Sequence, residues 1–376
     1  MRESEKIVYV KFQEAETYLE NGRHIFAILY AFIAGNYQVY LSSHVQRRLE
    51  GIFGESIVDW PPPARLAISM PELKIVDSLP PDAEAGIYIF DTEDEGLGTR
   101  SWRKRLRIRF DLYSPYRLSK PIIMPYAVHP MHATRATGES LVNLRDTERK
   151  VKLLFAGDLV GYKQRWIRYP EIKLSRIDVV SAIKNRLGDP FRIVNTPQEL
   201  NNIMQSAYTR EFVFVDNDGA RVQWSRWMDI IARADFFLCP PGIRMPMCHN
   251  IIEAIAVGTI PLTNYPEWFS PKLEHMKNCI AFNREEDLIE KILMILAMRD
   301  EQRSEIRRNV MNYYDTHLNP AAFAARVEAR DEERLNILMY SEENVARNKT
   351  KLNGKSVLIR GEDGVGDWAW LSSLWR

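Results

Sequence analysis

The sequence predicts an α/β protein with two parallel sheets in two successive domains. Three observations carry that expectation. A strand–turn–helix rhythm runs along most of the chain and restarts midway, as βαβ units require. Each half opens on an apolar strand, KIVYVKF at 6–12 and KVKLLFAG at 150–157. The length of 376 residues suits two domains at a prior of roughly 150 residues each. Hydrophobic residues make up 45% and charged residues 27% of the chain, which excludes a disordered or fibrous class.

In the first half the strand at 6–12 leads to a buried apolar helix at 24–35, a strand at 38–43 and a helix at 43–53. Short strands are expected at 65–70, 74–79 and 86–92, with prolines at 61–63 and 80–81 interrupting the run. In 101–110, Arg105, Arg107 and Arg109 alternate with Leu106, Ile108 and Phe110. The cationic face reads either as a seat for a charged acceptor or an anionic lipid headgroup, or as a solvated edge strand guarded by charge. A strand at 121–126 closes this half. The polar stretch 133–150 reads as the linker.

The second half runs from the strand at 150–157 through a helix at 175–187, strand 191–196, helix 197–207 and strand 211–217. Helix 222–234, strand 236–240, helix 247–257 and strand 260–265 follow. Trp224, Trp227 and Ile231 stand at helical spacing and are expected in the core. Leu288, Ile292 and Ile295 mark another helix, and charged helices are expected over 301–345. The resulting division is 1–145 for a first domain, 146–318 for a second, 319–345 for a helix packing back on the first, and 346–376 for a tail.

Charge and cysteines narrow the function. Lys and Arg number 51 against 50 Asp and Glu, a net charge of +1, so nothing global points to nucleic acid. The apolar runs are too short to span a bilayer, and MRESEK at the start lacks the apolar core of a secretory signal. Cys239, Cys248 and Cys279 show no metal-ligand spacing. The expectation is a cytoplasmic protein without a bound metal.

The most informative stretch is 234–284. A buried strand ends at Cys239, Pro240-Pro241-Gly242 turns sharply, Arg244 lies in the loop, and a helix begins near Met247. A turn feeding a helix N-terminus suits a phosphate, and Arg244 adds a cation. His249 and Glu253 share a helix face, Asn250 lies beside His249, and a carboxylate there can accept both hydroxyls of a ribose. Gly258-Thr259 permits close backbone approach before the next strand.

This segment resembles the exostosin-like branch of the GT-B glycosyltransferases over roughly 150–300. The shared features are the turn Cys239-Pro240-Pro241-Gly242, the pair Glu253-Ala254, the return Gly258-Thr259-Ile260-Pro261-Leu262, and the strand KLLFAG at 152–157. That group often has an Arg shortly before the Glu, where this chain has Cys248-His249-Asn250. The resemblance implies a GT-B fold, two Rossmann-like domains facing a cleft. It also implies transfer of a hexosyl or pentosyl group from a nucleoside diphosphate sugar, UDP being the family guess, to a hydroxyl of a glycan or lipid-linked glycan. Inversion without metal, in surface polysaccharide synthesis and with peripheral contact at the inner face of the membrane, completes the expectation. The donor site would comprise Pro241, Gly242, Arg244, His249, Asn250, Glu253, Gly258, Thr259 and the loop cluster Gly157, Lys163 and Arg165.

In the first half, Gly22 and Arg23 form a turn at the cleft before the first long helix. An inverting transfer needs a base, and Glu20, His24, Asp111 and His129 (with His132 nearby) are open alternatives. The tail at 355–376, with Gly364-Val365-Gly366-Asp367, resembles the opening of a heptosyltransferase-like GT-B domain. Two other classes stay open: a non-catalytic nucleotide- or carbohydrate-binding protein on this fold, and a dinucleotide enzyme, although no GxGxxG follows either opening strand.

Overall fold

The computed structural model describes residues 6–79, 86–94, 97, 101–110, 121–159, 173–187, 191–216 and 219–342. Asp111, Lys163, Arg165 and the whole 355–376 motif lie outside the described residues.

The first domain begins with strand β1 (Ile7–Lys11), helix α1 (Arg23–Ala34), β2 (Gln38–Ser42), α2 (Ser43–Phe53) and α3 (Pro62–Ile68). Strands β3 (Leu73–Val76), β4 (Ile87–Phe90), β5 (Lys104–Arg109) and β6 (Ile122–Ile123) follow, then a 3-10 segment, Pro130–Ala136, and α4 (Gly138–Arg145). The second domain runs β7 (Val151–Gly157), α5 (Arg176–Arg186), β8 (Phe191–Val194), α6 (Pro197–Gln205), β9 (Thr209–Asp216), α7 (Trp224–Ala232) and β10 (Ala234–Cys239). It continues through α8 (His249–Ala256), β11 (Ile260–Thr263), β12 (Ile280–Ala281), α9 (Glu285–Ala297) and α10 (Asp300–Tyr313). After a π-helical turn, α11 (Pro320–Glu328) and β13 (Arg334–Leu338) return to the first domain.

Two all-parallel sheets result, in the orders β3-β2-β1-β4-β5-β13-β6 and β12-β11-β10-β7-β9-β8. Strands buried on both faces need near-continuous apolar sequence, and β7 and β10 meet that need, with every residue buried except Gly157. Two Rossmann-like domains facing a cleft, as a GT-B fold requires, are what the chain builds. In the second sheet the chain places β10 on one side of β7 and β9 on the other. The strand order reverses between β7 and β10, and ligands of open α/β sheets bind at such a point, beyond the carboxyl ends of the strands.

Several sequence-based expectations are corrected. Residues 65–70 belong largely to helix α3, not to a strand, because Pro62 and Pro63 occupy its first turn, where a missing N–H costs nothing. The small residues Ala64 and Ala67 let it pack closely, and a Cβ on Gly22 would lie 2.9 Å from the Ala64 Cα. The 133–150 stretch, read as the linker, joins the two sheets as an ordered connection. Arg135 grips Asp229 with two bonds of 2.7 and 2.8 Å, and Arg145 grips Asp315 at 2.8 and 2.9 Å. The charges that marked it as a linker tie it down.

The 301–345 stretch is not helical throughout, since β13 adds a strand to the first sheet between β5 and β6. That insertion makes β5 a central strand, so the edge-strand reading of Arg105, Arg107 and Arg109 does not hold. Arg105 is buried against Phe90 and bonded to Glu93, and Arg107 donates to the Asp91 carbonyl at 3.2 Å. The return of the chain is also sealed by α11 on α1, where Phe323 meets Phe32 edge-on at 6.2 Å. Among the described residues no helix is long and apolar enough to cross a membrane.

Candidate active site at the domain junction

A cavity of about 620 Å³ opens at the carboxyl end of β7, against the start of α8. From the second domain it is lined by Gly157 and Asp158 after β7, Arg176 at the start of α5, Arg221, Trp224 and Trp227 around the start of α7, and Cys248, His249, Asn250 and Glu253. His129 closes it from the first domain.

The α8 wall is set by a tight turn. Gly242 donates its N–H to the Pro246 carbonyl at 3.0 Å, and a Cβ there would lie 2.4 Å from the Met245 oxygen. Glycine is therefore needed to shape the turn and not to admit a ligand. The Arg176 guanidinium, itself buried, reaches the carbonyls of Pro241 and Asp158 at 3.3 and 3.1 Å and the Cys248 Sγ at 3.5 Å. It welds the turn to the end of β7 and places a cation beside the first turn of α8. Cys248 is the N-cap and makes no side-chain cap, so the leading N–H groups of α8 are not satisfied by that residue.

Glu253 lies one turn inside α8 and is the hub between the domains. Its Oε1 accepts from the His129 N–H at 3.1 Å and from His132 Nδ1 at 2.8 Å, and its Oε2 accepts from Trp227 Nε1 at 2.5 Å. His132 Nε2 faces the Trp224 carbonyl at 3.1 Å. Both ring nitrogens of His132 thus face acceptors, and the ring bridges the Glu253 carboxylate to the start of α7. Burial by itself raises the Glu253 carboxyl, but the His132 bond and charge, with His249 and Trp227, hold it below the usual carboxylate range. A carboxylate offers about four lone-pair sites, and three are taken here. Glu253 can accept one ribose hydroxyl, not the pair that its position suggests from sequence.

Two neutral histidines flank this hub. His249 Nδ1 donates to the Ala127 carbonyl at 2.8 Å, and burial with the Arg23 charge pushes the ring down to about 3. His129 Nδ1 accepts from the Met131 N–H at 3.3 Å, and burial lowers the ring to about 4. Their centroids are 5.0 Å apart.

The structure separates the remaining sequence-based candidates. His249, Asn250, Glu253, Gly157 and His129 come together at the cavity. Gly258 and Thr259 do not: they precede β11 at the opposite end of the sheet. Gly258, at φ +72°, packs on Met311 of α10, and the buried Thr259 hydroxyl donates to the Ile231 and Ala234 carbonyls at 2.9 and 3.1 Å. Their role is to join helix to strand. Arg244 is exposed on the loop and absent from the cavity wall, and its charge acts on Glu20 of the first domain.

Around Glu20 a second cluster forms. Asp91 at the end of β4 accepts the N–H groups of Gln13 and Glu14 and the Thr17 hydroxyl, at 2.8, 2.9 and 2.7 Å. This grip steers the chain into Glu20, Asn21 and Gly22, all at positive φ. Arg23 bonds to Glu20 and Tyr126 and stacks on the Tyr126 ring at 4.4 Å. Glu20 also accepts the Glu342 N–H at 2.5 Å. Burial and the Glu342 carboxylate push Glu20 up to about 8. His24 is 2% exposed, bonded to the Tyr340 carbonyl at 3.1 Å and lowered by burial to about 3. It sits in the core and not in the cleft.

Sequence reasoning missed Arg176, Arg221, Trp224, Trp227 and the pairing of His132. Of the residues expected in the core, Trp224 is corrected, being 52% exposed, and Ile231 is buried. Trp227 packs partly buried against the core, 6.1 Å from Phe237, and also donates to Glu253. Both rings stand in the first turn of α7, at the cavity rim, before Met228 and Ile231 meet the sheet. The signal was present as two Trp three residues apart just before an apolar strand.

No protein-family model matches the chain, and no curated protein matches it. Solved structures similar to it include Anabaena Alr3699/HepE in complex with UDP, at 11% identity and TM-score 0.39, covering 86% of this chain and 98% of that one. An alpha-glucosyltransferase in complex with UDP and a 13-mer DNA with an A:G mismatch is similar at 12% identity and TM-score 0.41, covering 86% and 98%. AviGT4, a glycosyltransferase of avilamycin A biosynthesis, is similar at 13% identity and TM-score 0.41, covering 86% and 96%. Likeness this distant settles no function, which rests on the chemistry of the cavity itself.

Proposed function

We propose that the protein is a glycosyltransferase that moves a sugar from a nucleoside diphosphate sugar to a hydroxyl of a glycan acceptor. The carrying observation is the cavity at the β7–β10 reversal, with the start of α8, Arg176 and Arg221 on one side and Glu253 within reach. Unsatisfied N–H groups of a helix start attract a diphosphate, and the two guanidiniums add charge where the leaving group develops it. The one open lone pair of Glu253 suits a ribose hydroxyl. The acceptor would enter from the first domain, where the cleft holds it against the donor.

For transfer with inversion, Glu20 remains a base candidate of the first domain, set beside the cavity and not in its lining. Its carboxyl, raised to about 8, would act as a base only above neutral pH, while His24 is enclosed and His129 already carries its hydrogen on Nε2. Arg23 would hold Glu20 in place and stabilise the proton transfer.

A thermal-shift screen of UDP, GDP, CMP, ADP and NAD tests the reading, with Arg221→Ala as the control. A cognate nucleotide at a hundredfold excess over Kd stabilises by about 2.7 kcal/mol, and the variant weakens that shift. Release of nucleoside diphosphate from the matching sugar nucleotide then distinguishes a transferase from a mere binder. A shift with NAD alone, or none with any nucleotide, removes the proposal.

A further inference from the structure

The cavity is lined by two chemically different sets of groups. Arg176, Arg221 and the leading N–H groups of α8 are positive or donating. The side chains of His129, of His249 in the first turn of α8, and of the exposed Trp224, whose ring lies 4.6 Å from His129, are neutral.

The two histidines are fixed in opposite tautomers. The His249 Nδ1 hydrogen is held by the Ala127 carbonyl, an acceptor only, so the neutral ring leaves Nε2 as a bare acceptor. The His129 Nδ1 lone pair is taken by the Met131 N–H, so its Nε2 carries the hydrogen and donates. Neither Nε2 has a hydrogen-bond partner among the described residues, and neither is a buried orphan, so both face open space at the cavity. Burial keeps both rings from taking a second proton at neutral pH.

A fixed acceptor beside a fixed donor selects its ligand. A hydroxyl both donates and accepts, so two neighbouring hydroxyls satisfy both nitrogens. A carboxylate has no hydrogen to give, and its lone pairs would oppose the bare His249 Nε2. The ionised Glu253 next to it adds repulsion. An indole face such as that of Trp224 takes the C–H face of a sugar ring by apolar contact.

We infer that the His129–His249–Trp224 set seats the transferred sugar through neutral hydroxyls, and that it discriminates against a uronic acid at the same position. This inference rests on the transferase reading and gives that reading a substrate class.

Calorimetric titration with UDP, UDP-glucose and UDP-glucuronate tests it, together with nitrogen-15 NMR of the histidine rings at pH 7. The expected result is UDP-glucose binding at least tenfold tighter than UDP-glucuronate, with Trp224→Ala weakening both and leaving the gap at tenfold or more. The NMR spectrum of the unmutated protein should show His249 protonated on Nδ1 and His129 on Nε2, a readout independent of any variant's folding. UDP-glucuronate binding as tightly as UDP-glucose, or either ring in the other tautomer, overturns the inference while leaving nucleotide binding intact. Failure of all three nucleotides to bind overturns the inference, while the transferase reading stands or falls by the screen of UDP, GDP, CMP, ADP and NAD.

Discussion

Glu20 and Glu253 make an instructive pair. Each stands near the start of a helix that faces the cleft, one in each domain, and each side chain is more than nine-tenths buried. Their carboxyls are nevertheless pushed in opposite directions, Glu20 up to about 8 and Glu253 below its usual range. Glu253 is surrounded by the His129 N–H, the His132 ring and the Trp227 N–H, which favour the anion. Glu20 shares its space with the Glu342 carboxylate, and the opposing help from the Glu342 N–H and Arg244 is not enough. Burial sets the cost of a charge, and the neighbours decide whether the charge is kept. One glutamate becomes a fixed anion that fastens the domains, and the other a group that exchanges its proton near neutrality.

The largest expected effect comes from breaking the fixed anion. Glu253→Ala leaves the His129 N–H, His132 Nδ1 and Trp227 Nε1 without their buried partner, so at about 1–3 kcal/mol per stranded group a loss of about 3–5 kcal/mol is expected. Glu20→Gln keeps an acceptor in a site that already favours the neutral form, so it should cost less than about 1 kcal/mol. Urea midpoints of the two variants measure the gap, and equal losses would dissolve the contrast.

The pH dependence of stability sharpens it. His24, His129 and His249 are held neutral in the folded state, at about 3, 4 and 3, while the unfolded chain protonates near 6.5. Their stabilisation is lost as pH falls from about 6.5 toward 3, and Glu253 adds its own loss below the ordinary carboxylate range. Glu20 acts oppositely: the folded state keeps a proton that the unfolded chain releases near 4.5, so its contribution is lost as pH rises from there toward about 8. Melting temperatures from pH 4 to 9 should fall at the acid side, and Glu20→Gln should remove the Glu20 loss between about 4.5 and 8 and leave the histidine loss as it is.

The smallest effect contrasts two glycines, both at positive φ. A Cβ on Gly22 meets the Ala64 backbone at 2.9 Å, whereas one on Gly258 meets the movable Met311 side chain at 2.8 Å. Both alanine substitutions should destabilise by about 1–3 kcal/mol, with Gly22→Ala the costlier. Gly258→Ala should leave nucleotide affinity as it is, which binding measurements on the folded variant check.

Much of this was legible in the sequence for one reason: a strand buried on both faces has to be apolar along its length. That is why 150–157 and 236–240 announce the centre of the second sheet, and why the turn and helix that follow Cys239 mark its functional edge. Residues 65–70 misled because an apolar run of that length suits a strand or a helix equally, and only the prolines before it could arbitrate. Trp224 misled because helical spacing says that residues share a face but not that the first turn of the helix lies over the core.

The sequence by itself determined the two parallel sheets, the cleft-facing turn before α8 and the place of Glu253 in it. These depend on local periodicity, on turn chemistry and on residues adjacent in the chain. Only the tertiary structure decided what those residues do. His132 meets Glu253 across 121 positions of sequence and Trp227 across 26, and Glu342 comes from 322 positions away to raise Glu20. Ionisation, tautomer and free lone pairs follow from such distant neighbours, because electrostatic and hydrogen-bond energies depend on separation in space and not along the chain.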